Sequence, residues 1–428
     1  MNRRDFMRLT ATGVLVAGMP QLGWAGAPEP ATPTNSLKRP NILYIMTDQQ
    51  HAGMLSCAGN KYVKTPALDS LAAEGMRFER AYCANPICIP SRFSMLSGVM
   101  PSRIHLESNK NGMYVPPEIL TNCMGNVFRE AGYRTLYGGK LHTPMSLEDI
   151  GFERLTQDVS TKLAEAAAQF LRQPHDKPFL LVTSFGNPHD ICFLAIDAEK
   201  QRDRATVNYG NGALREALKL PSGVTREEFF AKICPPLPAN YEIPEGEPSR
   251  VKQIPAGFTQ YVRENWTDEQ WRMHRWAYAR LTELVDAQIG QVLAALREAG
   301  LEKNTLVVFT SDHGDMDASH RLEHKSVLYE ESTRVPFLVS WKGVTQPGGV
   351  DRAHLVSTGL DLIPTMCDFA GIPVPKKLNG RSVRLLAEGK EYTSWRETLV
   401  TESEGARMLR SARYKYVRYG KGSGVEWE

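Results

Sequence analysis

Short apolar runs alternate with helical patterns along this chain, and the alternation predicts strands that feed helices. Ile42–Met46, Thr135–Tyr137, Phe179–Phe185 and Leu306–Phe309 have the length and composition of buried strands. A helical pattern covers Ala67–Gly75. The best-marked helix starts at Thr267, whose hydroxyl can cap the first turn while Gln270 reaches back in a capping box. Its apolar face runs through Ala277, Leu281, Leu284, Val285, Val292 and Leu296, and Gly300 is placed to end it. Strands and helices in this order predict an α/β fold built on a mainly parallel sheet. Pro235–Pro255 reads as a long proline-punctuated loop that overhangs the site. After about Gly371 the pattern changes and ends in the tyrosine-rich run Tyr414–Tyr419, which predicts a small C-terminal α+β subdomain over 371–428. No internal repeat is present.

The two ends of this pattern add a compartment. Residues 1–27 carry a basic start (Arg3, Arg4, Arg8), an apolar run from Val14 to Ala17, and small residues at Ala25 and Ala27. That is the form of an export signal, and Arg3-Arg4 followed by Asp5 and Phe6 is of the twin-arginine type, so the twin-arginine export machinery is an expected partner. Residues 28–38, rich in Pro, Ala and Thr, read as a linker, and the main folded domain is expected over 39–370. No later segment has the ~20 apolar residues of a membrane span. The protein is therefore expected outside the cytoplasm, in the periplasm.

Charge and cysteine content narrow the chemistry. With 51 basic and 48 acidic residues spread through 428, the formal charge is +3, and no general pull toward nucleic acid follows. Cys57, Cys83, Cys88, Cys123, Cys192, Cys234 and Cys367 are too scattered for a disulfide scaffold and form no C-x-x-C pair. An odd number in an exported chain leaves at least one thiol unpaired.

The four strands run into polar clusters, and open α/β sheets bind ligands beyond the carboxyl ends of their strands. Ile42–Met46 leads to Asp48 and Gln49, Thr135–Tyr137 to Lys140 and His142, Phe179–Phe185 to His189 and Asp190, and Leu306–Phe309 to Asp312 and His313. Asp48, Gln49 and Asp312 offer the oxygens that a hard divalent cation prefers, with His313 as a fourth ligand. An Asp after a strand is more often a turn or a cap, but two such pairs on separate strands favour a metal. The sharpest local signal is Cys88-Ile89-Pro90-Ser91-Arg92. Pro90 suits a first helical turn, which puts residue 88 at a positive helix end, with Arg92 one turn along.

These motifs resemble the sulfatases of the alkaline phosphatase superfamily. The resemblance runs through Asn41-Ile-Leu-Tyr-Ile-Met-Thr-Asp48, Thr65-Pro-Ala-Leu-Asp69, the Cys88 motif, Gly132-Tyr-Arg-Thr135, Gly139-Lys-Leu-His142, Thr310-Ser-Asp-His-Gly314, Lys325, Tyr329-Glu330 and Arg334-Val-Pro336. It implies an alkaline-phosphatase-like fold and hydrolysis of sulfate monoesters on a sulfated small molecule or glycan, with a carbohydrate preferred. It also implies that a formylglycine-generating maturation enzyme oxidises Cys88, giving a hydrate with two hydroxyls on one carbon. One hydroxyl attacks sulfur and the other expels sulfate. One divalent cation, calcium by preference, is implied on Asp48, Gln49, Asp312 and His313. Arg92 and Lys140 are implied to neutralise developing charge, His142 to take a proton from the hydrate, and His189 and Lys325 to assist the leaving oxygen. His105, His320 and His324 receive no role, with His105 the first extra candidate.

Three features depart from the family pattern. Ser97 stands where Thr is commoner before Gly98, Gln49 replaces a second Asp, and relatives usually continue through one more strand, so a truncated C-terminus is expected. Two other readings remain open. One is a phosphonate monoester or phosphodiester hydrolase of the same superfamily. The other is a non-catalytic glycan-binding protein in which Cys88 stays a thiol.

Overall fold

In the computed structural model, which describes residues 39–109, 113–204, 206–253 and 257–420, the strands of the sequence pattern meet in one sheet. The expected export signal and linker lie outside the described residues. In chain order the strands are β1 (Asn41–Asp48), β2 (Met76–Phe78), β3 (Ala81–Tyr82), β4 (Arg134–Gly139), β5 (Glu153–Thr156), β6 (Phe179–Pro188), β7 (Thr305–Ser311), β8 (Phe337–Ser340) and β9 (Gly349–Asp351). The eight-stranded sheet has the order β5-β4-β6-β1-β7-β8-β2-β9. Its first five strands are parallel, and β8 runs against both neighbours.

Helices cover both faces, which is why the central strands read as continuous apolar runs rather than alternating ones. The helices that matter here are α1 (Pro66–Glu74), α2 (Cys88–Ser97), α3 (Thr161–Leu171), α4 (Asp268–Glu298) and α5 (Thr358–Ala370). Ile42, Tyr44 and Met46 pack with Phe93 and Leu96 of α2 and Ile363 and Met366 of α5. Leu43 and Ile45 point the other way, into a core with Leu68 of α1, Ala164 and Ala167 of α3, and Val285, Ile289, Val292 and Leu296 of α4. Each fully buried Leu, Ile or Val of this kind stabilises the fold by ~1.5–3 kcal/mol.

The capping box at Thr267 and Gln270 is present, with both reciprocal bonds. Helix α4 ends at Glu298, and Gly300 follows in the left-handed region at φ 68°. Leu284, expected on the apolar face, is 40% exposed, and Ile289 fills the core instead. Over 31 residues a fixed face drifts around the helix, because 3.6 residues per turn does not match the spacing of the pattern. The proline-rich segment is not wholly irregular. A short helix, Ser249–Gln253, interrupts it, and Asn240 and Tyr241 tie it to Glu331 and Asp268.

Four further strands, β10 (Val356–Ser357), which pairs with β3, and the antiparallel set β11 (Thr398–Ser403), β12 (Ala406–Ser411) and β13 (Lys415–Tyr419), complete the described residues. The three-stranded sheet packs through Met408 and Tyr419 on Tyr82, Met316 and Leu328. Thr401 and Glu402 also bond to Cys83 and Ala84 at 2.9 and 2.8 Å, just upstream of Cys88. The described residues from Arg39 to Gly420 belong to one compact unit. No described helix is long and apolar enough to cross a membrane.

Candidate active site

Strands β4, β6, β1 and β7 are consecutive in the sheet and parallel, so their carboxyl ends open on one rim. Helix α2 brings Cys88 to that rim. Ile87 enters in an extended conformation and Pro90 sits in the first turn, where its missing N–H leaves nothing unpaired. Asn109 Oδ1 accepts the Ile89 N–H at 3.0 Å, and Cys88 is left at the positive helix end. The buried Sγ lies 3.1 Å from His313 Nε2, 3.1 Å from Lys325 Nζ and 3.9 Å from Asp48 Oδ1. Burial and the Asp48 charge push this thiol up, yet Lys325, His313 and a hydrogen bond from His142 outweigh them and hold it well below the usual thiol range.

Arg92, one turn along α2, is fully buried. Its Nη2 donates to Asp48 Oδ2 and its Nε to Asp312 Oδ2, both at 2.8 Å, while Nη1 donates to the Lys140 carbonyl and to Ser184 Oγ. Every guanidinium nitrogen is engaged, so its charge reaches the pocket through the two carboxylates. Lys140 Nζ adds a 2.7 Å ion pair to Asp48 Oδ2. Burial alone pushes the Asp48 carboxyl up, but Lys140, His189, Arg92 and Lys325 hold it well below the usual carboxylate range.

Backbone geometry delivers these side chains. Gly139 closes β4 at φ 94°, and a Cβ there would collide with the Ser184 carbonyl, so only glycine allows the turn into Lys140 and His142. Gln49 holds φ 70°, a costly value for a residue with a Cβ, kept by bonds from its N–H to Asp312 Oδ1 at 3.0 Å and from Tyr278 Oη to its carbonyl at 2.5 Å. Lys325 is flanked by His324 and Ser326, both left-handed at φ 75° and 82°. Ser326 N–H bonds to the Pro86 carbonyl, and Ser403 of β11 to the Ser326 carbonyl. His189 follows Pro188, which is in register with Asp48.

The donor set fits a divalent cation. Asp48 Oδ2 is taken by Arg92 and Lys140, which leaves Oδ1 facing His313 and Cys88. His313 Nδ1 lies 2.9 Å from the Gly314 carbonyl; donation there leaves the Nε2 lone pair for a ligand. One ligand atom each from Asp48, Cys88, Asp312 and His313 falls within a 4.8 Å cluster. Gln49 differs in this respect. Its Oε1 accepts from Lys325 Nζ at 2.7 Å and from Cys192 Sγ at 3.2 Å.

Three neighbours carried no usable signal in the sequence. Tyr278 lies far away on α4, Cys192 looks like any buried thiol, and Asp315 was overshadowed by Asp312 in the same run. Of the histidines without a role, His324 touches this site, through Cys192 Sγ at 3.0 Å. His105 caps a turn and is exposed, and His320 lies tilted against the Tyr329 ring at 4.4 Å between centroids. No disulfide joins any of the seven cysteines, and all but Cys57 are buried.

A mainly parallel sheet whose rim gathers carboxylates, cationic side chains and a thiol at a helix end makes a site suited to anionic esters. Residues 40–372 match the sulfatase family model, and the chain belongs to the sulfatase family. It is a sulfuric ester hydrolase. It is 30% identical over 423 residues to a Δ4,5-hexuronate-2-O-sulfatase of Bacteroides thetaiotaomicron, covering 91% of this chain and 82% of that protein. A solved 2-O GAG sulfatase superposes with a TM-score of 0.77 at 29% identity, over 91% of this chain and 85% of the other. A phosphonate monoester hydrolase from Silicibacter pomeroyi shares the fold at 21% identity and a TM-score of 0.69, over 91% and 88%.

Proposed function

We propose that this enzyme removes sulfate from a glycan, using residue 88 as formylglycine. The observation that carries this reading is Cys88 Sγ itself, held at a helix N-terminus within 3.1 Å of both Lys325 Nζ and His313 Nε2. The names of the two sulfatase relatives support a carbohydrate 2-O-sulfate as substrate. Oxidised and hydrated, residue 88 supplies two hydroxyls on one carbon, one to attack sulfur and one to expel sulfate.

The chain's own residues prepare that exchange. His142, in hydrogen-bond reach of residue 88, takes the proton of the attacking hydroxyl. Lys325 and Lys140 bring positive charge to the sulfate oxygens, and Arg92 fixes Asp48 and Asp312. His189, with Lys325, gives the departing sugar oxygen its proton. Asp48, Gln49, Asp312 and His313 would hold a divalent cation, calcium by preference, since oxygens dominate the set. When bound, it would supply Lewis-acid charge to the site. The catalytic body is assigned to 39–370 and a C-terminal subdomain to 371–428. An export signal over 1–27 and a periplasmic location complete the reading.

Peptide mass spectrometry across Cys88, paired with turnover of sulfated uronate disaccharides and of an aryl phosphonate, tests it. The expected result is an aldehyde at residue 88, sulfate release exceeding phosphonate release, and no activity in Cys88→Ala. Full activity with an unmodified thiol overturns the nucleophile. Faster phosphonate than sulfate turnover overturns the substrate class.

A further inference from the structure

The side-chain amide of Gln49 has a donor end and an acceptor end of nearly equal size, and only its oxygen can serve a cation. Which end faces the pocket is set by its neighbours. On one side lies Lys325, whose Nζ has donors only and sits 2.7 Å from Gln49 Oε1. On the other lies the fully buried Asp315, whose Oδ2 accepts from Gln49 Nε2 at 2.7 Å.

Asp315 is itself fixed by backbone. The Asp317 N–H donates to its Oδ1 at 2.7 Å and the His324 N–H to its Oδ2 at 3.2 Å. Both oxygens are thus occupied as acceptors. A reversed Gln49 amide would face NH₂ against Lys325 and oxygen against the Asp315 carboxylate, two unfavourable contacts in a buried space. The Gln49 main chain is pinned as well, by Asp312 and Tyr278.

We propose that Asp315 is a positioning residue that locks the Gln49 amide with its nitrogen toward Asp315 and its oxygen toward Lys325, the orientation a cation ligand needs. The inference rests on the reading above that Gln49 is a cation ligand. Its effect is to prepay the ordering of a long, rotatable side chain. Partners of this kind change metal affinity by about 10–100-fold when removed.

Calorimetric titration of CaCl₂, and separately MnCl₂, into chelator-stripped full-length protein tests this. Asp315→Asn keeps the shape but turns one acceptor into a donor, and it should weaken binding about 10–100-fold. In a Gln49→Ala background the same substitution should change Kd by less than about threefold, because a residue acting through Gln49 has nothing left to orient. Melting of the metal-free variants checks folding, and Asp315→Ser serves if the Asn form does not fold. An unchanged Kd in the folded Asp315 variant overturns the proposal. So does an undiminished loss in the Gln49→Ala background, which marks a general structural role. A wild-type protein that binds neither ion overturns the cation reading and the proposal with it, whereas tight wild-type binding that Gln49→Ala leaves unchanged removes Gln49 alone from the ligand set.

Discussion

Arg92 Nη2 meets Asp48 Oδ2 at 2.8 Å with both side chains wholly buried, and the same guanidinium reaches Asp312 through Nε. Two carboxylates from separate strands are thereby held side by side by one rigid fork. Lysine cannot reproduce that fork. Arg92→Lys should break at least one of the two buried pairs and destabilise the protein by about 3–5 kcal/mol, the usual penalty for breaking a buried pair. Urea denaturation of the metal-free proteins measures it. A loss under about 1 kcal/mol would mean that the pairs add little.

Chelation should abolish sulfate release and lower Tm, and calcium should restore both. At one hundred times Kd the cation adds about 2.7 kcal/mol to stability. Asp312→Ala should show no calcium-dependent rise in Tm, because it removes an oxygen of the cluster. A calcium response equal to wild type in that variant would put the ion elsewhere.

His189→Ala should slow sugar sulfates by about 10²–10⁴-fold and aryl sulfates much less, since a phenolate departs without help. Rates on both substrate types give the answer. Equal losses would remove His189 from proton donation and leave Lys325, which touches residue 88, as the donor.

Stability should also carry a pH signature remote from the site. Asp286 on α4 accepts the Ala67 and Leu68 N–H groups of α1 at 3.0 Å each. Burial pushes its carboxyl up to about 6 in spite of those bonds. The folded value lies above the unfolded one of ~3.9, so its contribution is full below pH ~4 and is lost as pH rises through about 6. The stability difference between wild type and Asp286→Asn should therefore shift by about 2–3 kcal/mol against wild type from pH 4 to pH 7. Denaturant titrations across that range check it, and a constant difference would contradict the shift.

The sequence by itself determined the central strands, the capped helix at Thr267, the sheet class and the identity of the polar clusters, because these are local. Burial on both faces writes a continuous apolar run into β1, and a cap needs only residues three apart. The Cys88 motif is local too, since Pro90 and the helix start are neighbours. The expected metal set was legible only as residue types after strands. Tertiary structure decided which partner each atom takes. It turned Arg92 toward two carboxylates 44 and 220 residues away. It aimed the Gln49 oxygen at Lys325, 276 residues on, and put Leu284 outside the core it was expected to enter. Hydrogen bonds act over about 3 Å in space and leave no periodic trace along the chain, so their pairing follows from the packed sheet alone.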